Sequence, residues 1–381
     1  MKIAYISTVY FSDVDLSFLS EMKNHAEIDY YLSIGPLTKG AAVNIDTINP
    51  KYGIIPATEY QELNVFGKII DLSKMFIINN PHHSRTAAYK LWWKVYIHLK
   101  KQNYDIIHIT EFPHIHEFPI YLLRKRIVLS VHDPFMHSSV KSKRIVFERN
   151  IAMKILKSFI IFNRSQKEDF INTYKLKQAK VFDSRLSSYS YLRMYQPQPY
   201  EGEPYALFFG QVTTHKGIEY FYQAMQKVQE KYPHIKMVVA GKNKNVDLSL
   251  LPNVKKSDTL YRFVPEKELV ELINGAMCVV CPYIDATQSG VVMSAFAFMK
   301  PVIVTNVGGL PEMVRNGELG IVVPPRDSQA IADAIIYMKE HPEIIKQFEA
   351  AIELWYFKGD YSWKTIADDV YHDCYKIIAN K

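Results

Sequence analysis

Ten short apolar runs, five on each side of a proline-broken segment, set the strongest limit on how this chain can fold. The first five are KIAYIST, IDYYLSI, YDIIHIT, RIVLSVH and SFIIFN. The second five are YALFFG, IKMVVAG, MCVVCPY, PVIVTN and LGIVVPP. Stretches with helical periodicity separate them, and continuous apolar runs between helices mark parallel strands covered on both faces. The break, YQPQPYEGEPY at 195–205, interrupts the periodicity with prolines and polar residues, as linkers do. Each half therefore reads as a doubly wound α/β sheet, with ligands beyond the carboxyl ends of its strands. A length of 381 residues agrees with about two cores. The expected domains are 1–195 and 204–360, followed by a C-terminal helix at 361–381 that packs back toward the first domain.

Composition excludes several classes. With 48% hydrophobic and 22% charged residues and no low-complexity tract, the chain is neither disordered nor a repeat array. Its start, MKIAYISTVYFSDVD, turns polar after one apolar run and reads as a first strand, not a signal peptide. Nowhere do about eighteen uninterrupted apolar residues occur, so a spanning helix is not expected. The three cysteines, Cys278, Cys281 and Cys374, suit a reducing compartment, and CVVC lies in an apolar run without the further ligands a zinc site needs. A cytoplasmic setting follows, at the inner face of the plasma membrane if the basic charge has a partner there.

That charge is uneven. Residues 1–200 carry 27 basic and 17 acidic side chains, whereas the remainder carry 19 and 22. LLRKR, KSKR and the aromatic stretch YKLWWKVYIHLKK suit contact with an anionic lipid surface. The competing reading of that last stretch is a packed helix with snorkelling lysines. Nucleic acid is the rival polyanion, but no binding motif accompanies the charge.

The stretch FFGQVTTHKGIEYFYQAM, 208–225, places one lysine in a strand-to-helix loop. Ile218, Phe221, Tyr222, Met225 and Val228 recur at the spacing of one helical face, so Lys216 lies beside a helix N-terminus. That terminus already favours an anion, and a lysine there is accommodated when something negative lies between. The loop reads as a phosphate site, and its plain alternative is a solvated lysine.

Downstream runs AMCVVCPYIDATQSGVVMSAFAFMKPVIVTNVGGLPEMVRNGELGIVVPP. Here the chain resembles the retaining glycosyltransferases of family 4, whose GT-B fold has two facing Rossmann-like domains with a cleft between them. Pro282, QSG, KPVIVTNVGGLPE and GIVVPP match the family's order and spacing, and the 208–225 stretch matches its "vGR…KG" loop. The resemblance implies a nucleotide-sugar donor, UDP- or GDP-linked, and a saccharide or lipid-linked acceptor in surface polysaccharide assembly. It implies no metal and no cofactor. Lys216 would hold the donor diphosphate, and Arg262 and Phe263 lie in the segment that contacts the base. Gln211 stands where the family has arginine, while Ala286 and Ser294 stand where it has two glutamates. Asp285 is adjacent and could reach the sugar. Thr287, Gln288, Ser289 and Gly290 form a polar helix entrance for phosphate, with capping by Thr287 or Ser289 as the structural alternative.

In the first domain the resemblance implies that His132 faces the donor sugar and its leaving phosphate, with Asp133 and His137 binding the acceptor. A structural histidine at a strand end is the competing reading. The family's glycine-rich loop after the first strand is missing from STVYFSDVD. Asp13 and Asp15 read as first-turn carboxylates of a helix, not as a metal-binding pair. The lost glutamates leave open a catalytically silent binding partner, and the fold class leaves open a sugar phosphorylase or epimerase.

Overall fold

The computed structural model describes residues 1–35, 42–43, 45, 51–81, 83–135, 142–162, 164–286 and 288–380. The chain divides into two compact units, Met1–Leu186 with Trp363–Lys381, and Ser187–Ser362. Each is a Rossmann-like layer of sheet and helices, which gives the doubly wound α/β class expected from the runs.

The first unit is built on eight strands: β1 (Lys2–Thr8), β2 (Glu27–Ile34), β3 (Gly53–Pro56), β4 (Met75–Asn79), β5 (Ile106–Ile109), β6 (Ile127–Val131), β7 (Ser158–Ile161) and β8 (Lys180–Asp183). Their order is β3-β4-β2-β1-β5-β6-β7-β8, with β3 antiparallel to β4 and the remaining pairs parallel. The chain winds outward from β1 in one direction and then resumes at β5 on its other side. The gap beyond β1 and β5 is therefore the switch point at which doubly wound sheets bind ligands.

The second unit repeats the logic with β9 (Tyr205–Phe209), β10 (Lys236–Ala240), β11 (Ser257–Leu260), β12 (Cys278–Cys281), β13 (Val302–Thr305) and β14 (Gly320–Val323). All pairs are parallel in the order β11-β10-β9-β12-β13-β14. Here the switch point lies between β9 and β12. Every residue of β9 and β12 is buried, as strands covered on both faces require. The helix Ile218–Lys231 buries Ile218, Phe221, Tyr222, Met225 and Val228, the face read from the sequence. Cys278 and Cys281 are free, buried strand residues whose thiols burial pushes up to about 12, so they are inert packing groups.

In the first unit the helix Arg85–Gln102 shows how local chemistry fixes an element. Ser84 caps it by accepting from the Ala87 N–H at 3.2 Å, and Asn103 ends it in the left-handed region at φ 52°. Such a cap contributes about 1 kcal/mol. Lys100 and Lys101 sit in the last turn, where the dipole favours cations. Ala88, Leu91, Trp92, Val95 and Leu99 pack inward, and the Trp92 indole donates to Asn80 at 2.9 Å. Tyr89, Trp93 and Ile97 point outward. The C-terminal segment belongs to the same unit, where the Tyr375 hydroxyl meets His108 and Arg185 pairs with Asp369.

One local expectation is revised. Asp13 and Asp15 are both in the first turn of Ser12–Met22, but Asp15 turns into the core and accepts from the Tyr5 and Tyr30 hydroxyls at 2.9 and 3.2 Å. Burial holds its carboxyl up at about 7. It organises the packing of β1 and β2 instead of capping at the surface.

Candidate functional site

At the switch point of the second unit two loops are tied together. Strand β9 exits through Gly210, at φ +97°, into a single helical turn, Thr214–Lys216. A Cβ on Gly210 would come within 3.0 Å of Lys216 Nζ, so the ammonium lies against bare backbone. Gly217, at φ +60°, passes so close to strand β12 that a Cβ there would meet the Pro282 carbonyl oxygen at 2.1 Å. Any side chain at 217 would push the two exits apart. The Ile284 N–H then donates to the His215 carbonyl at 2.8 Å, and the Asp285 N–H approaches it at 3.4 Å. Lysine loop and polar loop thus form one rigid edge.

Lys216 Nζ lies 5.3 Å from the centroid of Tyr283, a residue that motif reading passed over. Burial lowers the lysine's proton affinity, and among the described residues no carboxylate is paired with it. A cation held this way, beside apolar walls, is able to pair with an anion.

The helix Gly290–Ala297 starts at Ser289 without a side-chain cap bond. The Ser289 hydroxyl points to the Tyr283 hydroxyl at 3.4 Å, and its N–H points to Met313 Sδ at 3.3 Å. The Thr305 hydroxyl donates to the Tyr283 carbonyl at 2.6 Å, bracing the ring beneath Lys216. Ser289 is therefore part of the scaffold that positions the lysine. Gln211, Asp285, Gln288 and Gly290 are exposed along the same edge. Ser294 is buried and its hydroxyl donates to the Gly290 carbonyl at 2.8 Å, back along its own helix. Ala286 is partly buried against the core.

Arg262 and Phe263 follow β11, two strands from β9 on the same carboxyl edge. The Arg262 guanidinium is held by Glu268 through bonds of 2.9 and 2.5 Å, and Phe263 is 54% exposed. An exposed aromatic face beside a fixed guanidinium can stack on a planar ring. Thr287 and His137 lie outside the described residues.

In the first unit His132 leaves the end of β6. Its ring stacks on Phe11 at 3.9 Å and 8°, and Phe162 covers it at 4.7 Å and 32°. Nε2 is buried without a hydrogen-bond partner, and burial brings the imidazole down to about 4. At neutral pH it is therefore an uncharged hydrogen-bonding group. Asp133 is exposed, and its carbonyl accepts from Arg149 Nη2 at 2.8 Å. The sequence showed the histidine but not its aromatic partners, which come from the exits of β1 and β7.

No helix among the described residues is long and apolar enough to cross a membrane, and no group of His, Cys, Asp and Glu among them could hold a metal ion.

Residues 194–355 match the family model for glycosyl transferases group 1. An uncharacterized glycosyltransferase of Methanocaldococcus jannaschii is 34% identical over 136 residues, 35% of this chain and 35% of that protein. The chain thus matches about a third of that relative's length. Among solved structures, sucrose-phosphate synthase from Thermosynechococcus elongatus has a TM-score of 0.63 at 16% identity, covering 100% of both chains. UDP-GlcNAc 2-epimerase from Neisseria meningitidis, bound to UDP-GlcNAc, has a TM-score of 0.62 at 12% identity over 99% of this chain and 100% of that one. Those likenesses establish the fold, and the family match coincides with the unit that carries the tied loops and the partly buried lysine. Over residues 194–355, less than half of its length, the chain is similar to the glycosyl transferases group 1 family.

Proposed function

We propose that the protein is a retaining transferase that moves a sugar from a nucleoside-diphosphate donor, UDP- or GDP-linked, to a saccharide or lipid-linked acceptor in surface polysaccharide assembly. The observation that carries this reading is Lys216, a partly buried cation without a carboxylate partner among the described residues, set at the switch point of a unit that matches the group 1 model. Charge develops on the diphosphate as the glycosidic bond breaks, and a fixed cation in a dry site stabilises that charge most when it is largest. The uncapped helix start at Gly290 adds backbone N–H groups, and Arg262 with Phe263 receives the base. Gln211 replaces a cation with a hydrogen-bond donor, so Lys216 carries a greater share of the neutralisation.

The acceptor binds the first unit at its own switch point, near His132 and Asp133, and is activated by the departing phosphate oxygen on the face from which it leaves. No metal takes part in this scheme. The protein works at an anionic membrane surface through the first unit's basic face, and nucleic acid is not a partner.

The experiment is incubation of the full chain with UDP- and GDP-sugars, with and without saccharide acceptors, followed by assay of the products. Acceptor-dependent release of nucleoside diphosphate with retained anomeric configuration supports the proposal. An epimerised donor would favour the second reading, to which the fold likeness of the Neisseria epimerase lends weight. Binding without any product would leave a silent partner.

A further inference from the structure

We propose that Phe11 is a positioning residue for His132, an inference that rests on the transferase reading: its ring fixes the plane of the imidazole and so the direction in which Nε2 meets the substrate. The strand order β1-β5-β6-β7 explains how this is built. Phe11 ends the turn Val9–Phe11 that follows β1 and reaches past the end of β5 to lie on one face of His132. Phe162 follows β7 and covers the other side. With both faces against aromatic rings, only the edge of the imidazole is left for hydrogen bonding.

That edge is unsatisfied. Nε2 is buried and finds no partner among the described residues, a costly state that a ligand hydroxyl relieves. Phe11 stands in the loop where the resembled family has glycines, so a side chain replaces what would be a close backbone approach to phosphate. The groups near His132 agree with an uncharged partner. From β5 comes His108, buried and pushed down to about 3, and Asp133, next in the chain, is exposed and turns its carbonyl to Arg149. No carboxylate contributes to the imidazole's low proton affinity, which comes from burial alone. His132 therefore offers one hydrogen bond and no charge. Its partner is a hydroxyl of the substrate and not the leaving phosphate.

The test is histidine NMR on the full-length protein, with the His132 ring assigned by its loss in His132→Gln. In the unaltered protein the ring should titrate near 4. Phe11→Leu, which keeps an apolar side chain, should raise the midpoint by about 1 or more as water enters, while Phe11→Tyr should hold it near the original value. With a turned-over nucleotide sugar, Phe11→Leu should lower kcat about tenfold and leave donor KM within about twofold, and Phe11→Tyr should restore kcat. A midpoint near the ordinary 6.5 in the unaltered protein, or one unmoved by Phe11→Leu, overturns the proposal. So does a Phe11→Leu enzyme with full kcat. If no donor is turned over, the transferase reading fails, while the NMR comparison still decides whether Phe11 controls the ring.

Discussion

Burial lowers the proton affinity of both Lys216 and His132, yet their surroundings give the two residues different uses. The lysine rests on a tyrosine face and bare backbone, a setting that suits the anion of the proposed function. The histidine is pressed between hydrocarbon rings, a setting that keeps it neutral. Ser294 shows a third outcome. At the position of a family glutamate it is 6% exposed and bonded to Gly290, so the helix entrance has closed around a short side chain. Ser294→Glu should therefore fail to restore a ribose ligand. Calorimetry should find nucleotide binding weakened several-fold, because the longer carboxylate must enter a packed position or break the first turn. Tighter binding with retained activity would mean that the pocket still fits the carboxylate. Lys216 and His132 were legible in the sequence because each follows a strand run in a motif of known order. Their partners Tyr283, Phe11 and Phe162 were not, since nothing in local sequence marks a stack formed across neighbouring strands.

At the scale of elements, four strands lie outside the ten runs: β4, MFIIN, is an apolar run that was passed over, and the other three explain themselves. β8 and β11 are edge strands, KVFD and SDTL, without a residue in the buried class, and so lack the apolar run that marks a central strand. β3 is a four-residue antiparallel edge containing Pro56. The helix Arg85–Gln102 has a packed face, as the core reading expects, and an exposed aromatic and basic face that leaves the lipid proposal open to test. Trp92 is core, but Tyr89, Trp93 and Ile97 are 42%, 38% and 47% exposed at one-turn spacing, and the helix carries five basic residues and no acidic one. Leu122, Arg124 and Lys125 add an exposed apolar residue and two cations in the same unit. Each basic residue near an anionic leaflet contributes about 1 kcal/mol, and the aromatic row adds interfacial burial. The full chain should sediment with anionic vesicles at low salt, release at high salt and ignore neutral ones. Replacing Tyr89, Trp93 and Ile97 with serine should weaken sedimentation without changing the unfolding midpoint, because all three face outward. Protein that stays in the supernatant with anionic vesicles at low salt would remove the membrane from the account and favour a soluble acceptor.

For the whole molecule, the winding order of two sheets does most to locate function. Each unit reverses its direction of winding once, between β1 and β5 and between β9 and β12; Lys216 and the 285–290 loop follow the strands of the second gap, His132 follows β6 next to the first, and Arg262 with Phe263 lies two strands from β9. The reversal could not be read from the runs themselves, because apolar continuity identifies a parallel strand but not its neighbours. The return of Trp363–Lys381 to the first unit, expected for 361–381, is set by contacts such as Tyr375 with His108. In the proposed function the second unit's switch point binds a nucleoside diphosphate through Lys216. Calorimetric titration of UDP, GDP and ADP into the full chain and into Lys216→Ala tests it most directly. We predict saturable binding of at least one of the three, weakened about thirtyfold in Lys216→Ala at an unchanged unfolding midpoint, the loss of one charge-assisted contact worth roughly 2 kcal/mol. No binding by the unaltered protein, or equal binding by Lys216→Ala, would contradict it.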